Sequence, residues 1–212
     1  MSYERKHNEA NLESNSDGHH ENFSRSWGVE GPTTDPEILA ARARAARGLM
    51  ATLALAQGVP MISHGDELGR TQLGNNNAYC HDGPRTWIDW EPDADARELL
   101  AYVRTLFRIR ASHPALRLAR FEDIEARMVW IDPIGSPVMD EVAVPRAFGF
   151  LLMGSPPLVA LFNGEEAARS FVLPPRGPWR GLLPGKEGMY EGEVSLEAHG
   201  VAIFEEVRGA SE

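Results

Sequence analysis

The chain has 212 residues, of which 42% are hydrophobic and 25% charged, and its formal net charge is -10. That balance argues for a cored globular protein rather than a disordered one, and against nucleic acid or anionic membrane as the main partner, because both attract basic surfaces. At roughly 100 to 200 residues per domain, the length predicts one full domain and a smaller one.

The single cysteine, Cys80, has no partner for an internal disulfide, which fits a reducing compartment. Met1 is followed by Glu4, Arg5, Lys6 and His7 rather than the apolar segment of a signal peptide. The most apolar stretch, residues 49–62, is interrupted by Gln57, Gly58 and Pro60, and is shorter than the ~20 residues that a membrane span needs. A cytoplasmic protein with no membrane partner is the expectation. Asn22-Phe23-Ser24 has the form of a glycosylation sequon, which matters only in a secreted protein.

In chain order, the first feature is a long polar stretch, "KHNEANLESNSDGHHENFSRSWGVEG" (residues 6–31), with no regular element before it. Loops longer than about a dozen residues are characteristically functional or disordered. Next, "TTDPEILAARARAARGLMATLALAQGVP" predicts a helix over residues 34–57. Thr34 with Glu37 has capping-box spacing, and Asp35-Pro36 serves equally as N-cap and first helical residue. Ile38, Ala41, Ala45, Leu49, Thr52, Leu53 and Ala56 recur at helical spacing and predict the core-facing side, while Arg42, Arg44 and Arg47 interrupt the other positions. Gly58 and Pro60 mark the exit.

"VPMISHGDE" then reads as a buried parallel strand over residues 60–65, with Gly65, Asp66 and Glu67 at a polar C-terminal mouth. After a long loop, Asp95 with Glu98 signals a second helix. Leu99, Val103, Leu106 and Phe107 form its apolar face, Arg104 and Arg108 lie on a solvated face, and His113-Pro114 ends it. From Leu116 onward the pattern changes to short strand-like runs, "AFGFLLM", "LVALF", "SFVLPP", "VSLEA" and "VAIFEEV", with Asn163-Gly164 as a hairpin dipeptide. That is the pattern of a small antiparallel sandwich. The first ~115 residues thus carry helix, strand, helix, which belongs to a parallel α/β fold but supplies only one strand of it.

The strings "SYERKHNEANLESNSDGHHENFS", "WGVEG", "GDELGRTQLGNNNAYCHD" and "WIDW" resemble the bacterial glycogen debranching enzymes of the isoamylase type, glycoside hydrolases of the α-amylase superfamily. The resemblance is dense from Ser2 to about Trp90 and looser beyond, where Trp130, Pro133, Gly135, Met139 and "FVLPP" still fit. It implies α/β plus all-β architecture. Residues 1–115 would be the last helix-strand-helix of a (β/α)8 TIM barrel, and residues 116–212 a C-terminal antiparallel β-sandwich domain. In such barrels the loops at the C-terminal ends of strands build the active site. The opening polar stretch would then be a wall of that site, following the seventh strand. The resemblance further implies hydrolysis of α-1,6 branch linkages in glycogen or limit dextrin, with branched α-glucan as the partner and no cofactor. The family's nucleophile, acid/base and stabilising carboxylates sit on strands four, five and seven, and no position here matches them, so no catalytic residue is assigned. The alternatives are a non-catalytic glucan-binding module, an enzyme half completed by an upstream barrel half in a partner chain, and a self-associating interaction protein.

Asp66 and Glu67 are the only tempting substitute pair. Glycoside hydrolysis requires two carboxyls across one bond, whereas neighbours on a strand point to opposite faces. They read instead as loop-orienting groups. Asn75, Asn76, Asn77 and Tyr79 are the candidate substrate-binding residues, because amides match sugar hydroxyls in both directions and an aromatic ring suits a sugar's apolar face. The same asparagines equally fit a turn held by its own side chains. His7, Asp17, His19 and His20 match no established metal-ligand spacing and read as a solvated or substrate-facing loop. Trp27 is open to use as a sugar platform, while Trp87 and Trp90 are expected to pack.

Overall fold

The computed structural model describes residues 2–21, 23–138 and 145–207, so Asn22 of the sequon and Met139 lie outside the described residues. Helix α1 spans Pro36–Leu55. Of the two caps open in the sequence, Asp35 is the one used: its Oδ1 accepts from the backbone N–H of Glu37 at 2.9 Å and of Ile38 at 3.3 Å, with Pro36 as the first helical residue. Helix α2 spans Ala94–Ser112, and its cap is Asp93 rather than Asp95, through Ala96 N–H at 2.8 Å. A one-turn helix α3 covers Phe121–Glu125. Eight strands follow: β1 (Met128–Ile131), β2 (Ala147–Leu152), β3 (Leu158–Asn163), β4 (Arg169–Val172), β5 (Trp179–Gly181), β6 (Gly188–Tyr190), β7 (Glu193–Leu196) and β8 (Val201–Glu206).

The chain divides into two compact units, residues 1–46 with 62–101 and residues 47–61 with 102–212. In the second, β1-β2-β3-β8-β5-β6 form a six-stranded antiparallel sheet and β4-β7 a two-stranded one. The period-2 alternation of strand side chains divides the large sheet into two apolar faces. Phe150, Leu152, Leu158, Ala160 and Ile203 point to one side, where they pack with Ala51, Ala54 and Leu55 of α1 and with Tyr102, Leu106 and Ile109 of α2. Val159, Leu161, Ala202 and Phe204 point to the other, where Phe171 of β4 and Val194 and Leu196 of β7 close the sandwich over Trp179. A sheet covered on both faces needs apolar residues at consecutive positions, hence the unbroken runs "LVALF" and "VAIF".

Arg110 ties α1 to α2 within this unit. Its buried guanidinium donates to the carbonyls of Ala54 at 2.8 Å, Ala56 at 2.7 Å and Gly58, satisfying the orphan acceptors at the end of α1. Buried His113 donates from Nδ1 to Ile109 O at 2.8 Å and sets Nε2 3.3 Å from Glu205 Oε2 on β8.

Four expectations are corrected. Residues 60–65 form no strand, Met61 within them and Val59 beside them being 84% and 91% exposed, because no strand among the described residues lies next to this segment to complete a ladder. The packed face of α1 is the Ala51/Ala54/Leu55 side. Leu49 is 59% exposed, and Thr52 and Ala56 are exposed too, because the helix is apolar on two sides and only one meets the sheet. Asn163-Gly164 makes no hairpin: β3 pairs with β2 and β8, and the next strand, β4, lies in the other sheet. The buried Asn163 amide holds that crossover by donating to Ala167 O, Leu196 O and Glu197 O at 2.8–3.2 Å. Trp87 and Trp90 do not pack, being 58% and 81% exposed.

Candidate functional site

The polar stretches at residues 2–31 and 63–90 come together in the first unit, through side-chain amides. Asn8, which is fully buried, donates from Nδ2 to Asn76 Oδ1 at 2.8 Å and to Asp17 O at 3.1 Å, and its Oδ1 accepts from Asn76 N–H at 3.0 Å. Asn11 Nδ2 donates to Asp17 Oδ2 at 2.6 Å and to Asn77 O at 3.0 Å. Asn11 Oδ1 in turn accepts from Asn75 Nδ2 and lies 2.6 Å from His81 Nε2. Because the Asn11 nitrogen is committed to acceptors, its oxygen faces His81, so His81 Nε2 carries a hydrogen. Asn77 completes the ring by donating to Asp17 Oδ2 at 2.8 Å. The amides of Asn11 and Asn77 hold the Asp17 carboxyl below the ordinary carboxylate range by bonding to its charged form.

Glycine permits this contact. Gly18, at φ +69°, has no Cβ, which would lie 2.3 Å from Asn76 Oδ1 and 2.8 Å from Asn8 Nδ2. Asn15 nearby also takes a left-handed conformation, tolerated by its short amide, and accepts from Asn8 N–H at 2.9 Å.

A second set of bonds closes the opening loop on itself. Glu30 accepts from the backbone N–H of Glu4 at 2.9 Å and of Arg5 at 3.0 Å, and from His7 Nε2 at 3.0 Å; these bonds pull its carboxyl down to about 2. Glu4 accepts from Ser26 N–H and Oγ–H at 3.0 and 2.8 Å, which lowers its carboxyl as well. From α1, Arg42 donates to the carbonyls of Ser26, Val29 and Gly31, so this arginine is a loop anchor.

These loops enclose an open cleft of about 390 Å³ whose wall includes Tyr3, Ser24, Ser63, Asp66, Thr71 and Asn76. Hydroxyls, amides and one aromatic ring share this lining with the opposite charges of Asp66 and Arg70, a mixture that can both donate to and accept from a hydroxyl-rich ligand. Asp66 is the carboxylate of this wall, since Glu67 turns its Oε2 onto Gly65 N–H at 3.1 Å. Among the described residues, no group of three or more His, Cys, Asp or Glu side chains is disposed to hold a metal ion, and no helix is long and apolar enough to cross a membrane.

The four candidate substrate-binding residues occupy different positions. Asn76 lines the cleft and also donates to His19 O at 3.0 Å; Asn75 lines it but its side chain is buried; Asn77 directs its amide to Asp17; Tyr79 stands 79% exposed. Sequence reasoning did not single out Tyr3, Ser24, Ser63 or Thr71. Isolated hydroxyls carry no periodic or spacing signal, and only the fold gathers them. Trp27 is half-buried, with the Arg25 guanidinium 4.5 Å above its ring.

No protein-family model matches the chain. It is 37% identical over 229 aligned residues to the glycogen operon protein GlgX homolog of Mycobacterium tuberculosis, covering 93% of this chain and 31% of that protein. It is 36% identical over 208 residues to the glycogen debranching enzyme of Cronobacter sakazakii, covering 96% and 31%. Among solved structures, the pullulanase of Bacillus acidopullulyticus superposes with a TM-score of 0.68 at 22% identity, over 82% of this chain and 21% of that one, a likeness of fold. The Paenibacillus barengoltzii pullulanase, crystallised with maltohexaose and α-cyclodextrin, gives 0.67 at 28% identity, over 80% and 26%.

The solved structures that share this fold include pullulanases, and the similar curated sequences include glycogen debranching enzymes. The chain is similar to the bacterial glycogen debranching enzymes, in keeping with a match to their C-terminal part. It spans about a third of the length of the curated relatives it matches.

Proposed function

We propose that this chain is the C-terminal portion of a cytoplasmic enzyme that hydrolyses α-1,6 branch linkages in glycogen and limit dextrin, and that it builds one wall of the glucan site without supplying the catalytic carboxylates. Residues 1–115 are then the end of a (β/α)8 barrel and residues 116–212 its sandwich domain. The observation that carries the reading is the cleft itself: a wall of hydroxyls and amides with Asp66 as its carboxylate and Arg70 as its guanidinium. Double displacement needs two carboxyls about 5–5.5 Å apart, so the wall binds and orients sugar while the chemistry comes from elsewhere. In this reading Asn76 bonds sugar hydroxyls, exposed Tyr79 stacks on a ring, and Asn75 and Asn77 fix the shape of the loop that carries both.

The test is a chimaera in which this chain replaces the matched C-terminal part of the Cronobacter sakazakii enzyme, with reducing-end release from limit dextrin as the readout. The chimaera should turn over, Tyr79→Ala should raise its KM more than it lowers kcat, and the isolated chain should release nothing. A folded but inactive chimaera, or turnover by the isolated chain that Asp66→Asn abolishes, overturns the proposal.

A further inference from the structure

Tyr79 sits on a short helical turn, Ala78–Cys80, to which Asn77, the residue before it, gives no side-chain cap. The turn is held from elsewhere in the chain. One residue of the opening stretch, Asn11, bonds to both ends of it. Its Nδ2 donates to Asn77 O at 3.0 Å before the turn, and its Oδ1 accepts from His81 Nε2 at 2.6 Å after it. The other hydrogen of Nδ2 goes to Asp17 Oδ2 and the other lone pair of Oδ1 accepts from Asn75 Nδ2, both at 2.6 Å. Both donors and both acceptor sites of this one amide are therefore in use, which leaves none for a ligand. Asp17, which also accepts from Asn77 Nδ2, fixes which way the amide faces. Three residues make one revolution of such a turn, so the buried Ala78 side chain sets the outward direction of Tyr79. The backbone beyond Asn11 is strained in keeping with this placement: Leu12 and Ser14 take left-handed conformations at φ 62° and 53°, which persist only where the surroundings over-determine them.

We infer that Asn11 is a positioning residue for glucan binding: it grips the turn at both ends and so sets the Tyr79 ring for the sugar without touching sugar itself. The part given to Tyr79 rests on the functional reading above, whereas the hold on the turn rests on the hydrogen bonds alone.

The test is Asn11→Ala in the chimaera, with KM and kcat for limit dextrin as the readout. KM should rise about tenfold while kcat stays within about twofold, the signature of lost substrate binding rather than lost chemistry. In a Tyr79→Ala background the same substitution should change KM by less than about twofold, because a residue that acts through Tyr79 then has nothing left to position. Asn11→Asp keeps the volume and the acceptor for Asn75 and His81 but turns an oxygen toward Asp17 and Asn77 O, so it should raise KM at least as far as Asn11→Ala. If Asn11→Ala does not fold, His81→Phe releases one end of the turn only, and should give a smaller rise that again vanishes in the Tyr79→Ala background. Amide exchange on the full chain supplies a readout independent of turnover. Asn11→Ala should speed exchange of the His81 N–H, which bonds to Ala78 O at 3.1 Å, by about tenfold or more and leave β3 and β8 unchanged. KM effects of Asn11→Ala and Tyr79→Ala that multiply, an Asn11→Asp chimaera with unaltered KM, or equal His81 exchange with and without Asn11 each overturn the inference. If Tyr79→Ala itself leaves KM unchanged, or the chimaera folds without turning over, the functional reading falls and the His81 exchange alone decides the positioning.

Discussion

The two compact units are built from the same chain by opposite means. In residues 47–61 with 102–212, two apolar clusters lie on either side of one sheet, and the fully buried side chains include Trp179, Phe171, Phe204 and a row of leucines. In residues 1–46 with 62–101, the ties are Asn to Asn, Asn to Asp, Glu to backbone and Arg to carbonyl. Apolar burial is non-directional and additive, so it makes an autonomous fold; amide networks are directional, so they specify the shape of a surface but contribute less net stability. The region that specifies the cleft is therefore not the region that holds the protein together.

Substitutions in the second unit should have the largest effects. Trp179 is fully buried and donates from Nε1 to Pro174 O at 3.0 Å, so Trp179→Ala removes the centre of the sandwich and should cost about 3–5 kcal/mol in urea unfolding. A loss below about 1 kcal/mol would mean that the sandwich core lies elsewhere. Arg110→Ala leaves the carbonyls of Ala54, Ala56 and Gly58 without their charged donor and should cost about 2–3 kcal/mol in the same measurement. Asn8→Ala sharpens the contrast between the units. It should leave the unfolding midpoint of the sandwich unmoved while accelerating exchange at Asn76 and Asn77 in the chimaera, a local loss of about 1–3 kcal/mol. A shift of the global midpoint by Asn8→Ala would show that the two units unfold together.

How much of this was legible in the sequence follows the same division. Helix α2 was readable almost to the residue, because Leu99, Val103 and Leu106 keep one period and His113-Pro114 stops it; only the cap moved, from Asp95 to Asp93. The five apolar runs after residue 146 became β2, β3, β4, β7 and β8. Strands β5 and β6 have three residues each, too few to display a period, and β1 presents mixed burial. The misreadings concentrate where cover is missing. The sequence assigned a core to Leu49, a strand to residues 60–65 and packing to Trp87 and Trp90, and each of these presents apolar surface to solvent in this structure. Periodicity reports that a face wants burial, and says nothing of whether the same chain buries it. At the site, both readings of the asparagine run drew on the same property, an amide that donates and accepts. Asn11 and Asp17, sixty or more residues away in sequence, claim the Asn75 and Asn77 side chains, a pairing that no local pattern reveals.

The smallest predicted effect concerns pH. The Glu30 carboxyl is drawn from 4.5 to about 2 by the backbone N–H groups of Glu4 and Arg5 and by His7. For an acid whose value falls on folding, the stabilisation is complete above the unfolded value and is lost as pH falls through the folded one. The opening loop should therefore hold from neutrality down to about pH 4.5 and loosen progressively between that point and about pH 2, as Glu30 takes up its proton. Glu4 and Asp17, lowered by Ser26 and by Asn11 and Asn77, should add to the same slope. Carboxyl chemical shifts of the chimaera through this range provide the measurement. Glu30→Gln, which retains an acceptor oxygen but no titrating charge, should flatten the loop's response without altering that of the sandwich. If the variant keeps the wild-type slope, the ties that titrate are those of Glu4 and Asp17, and the Glu30 bonds are screened by the solvent around them.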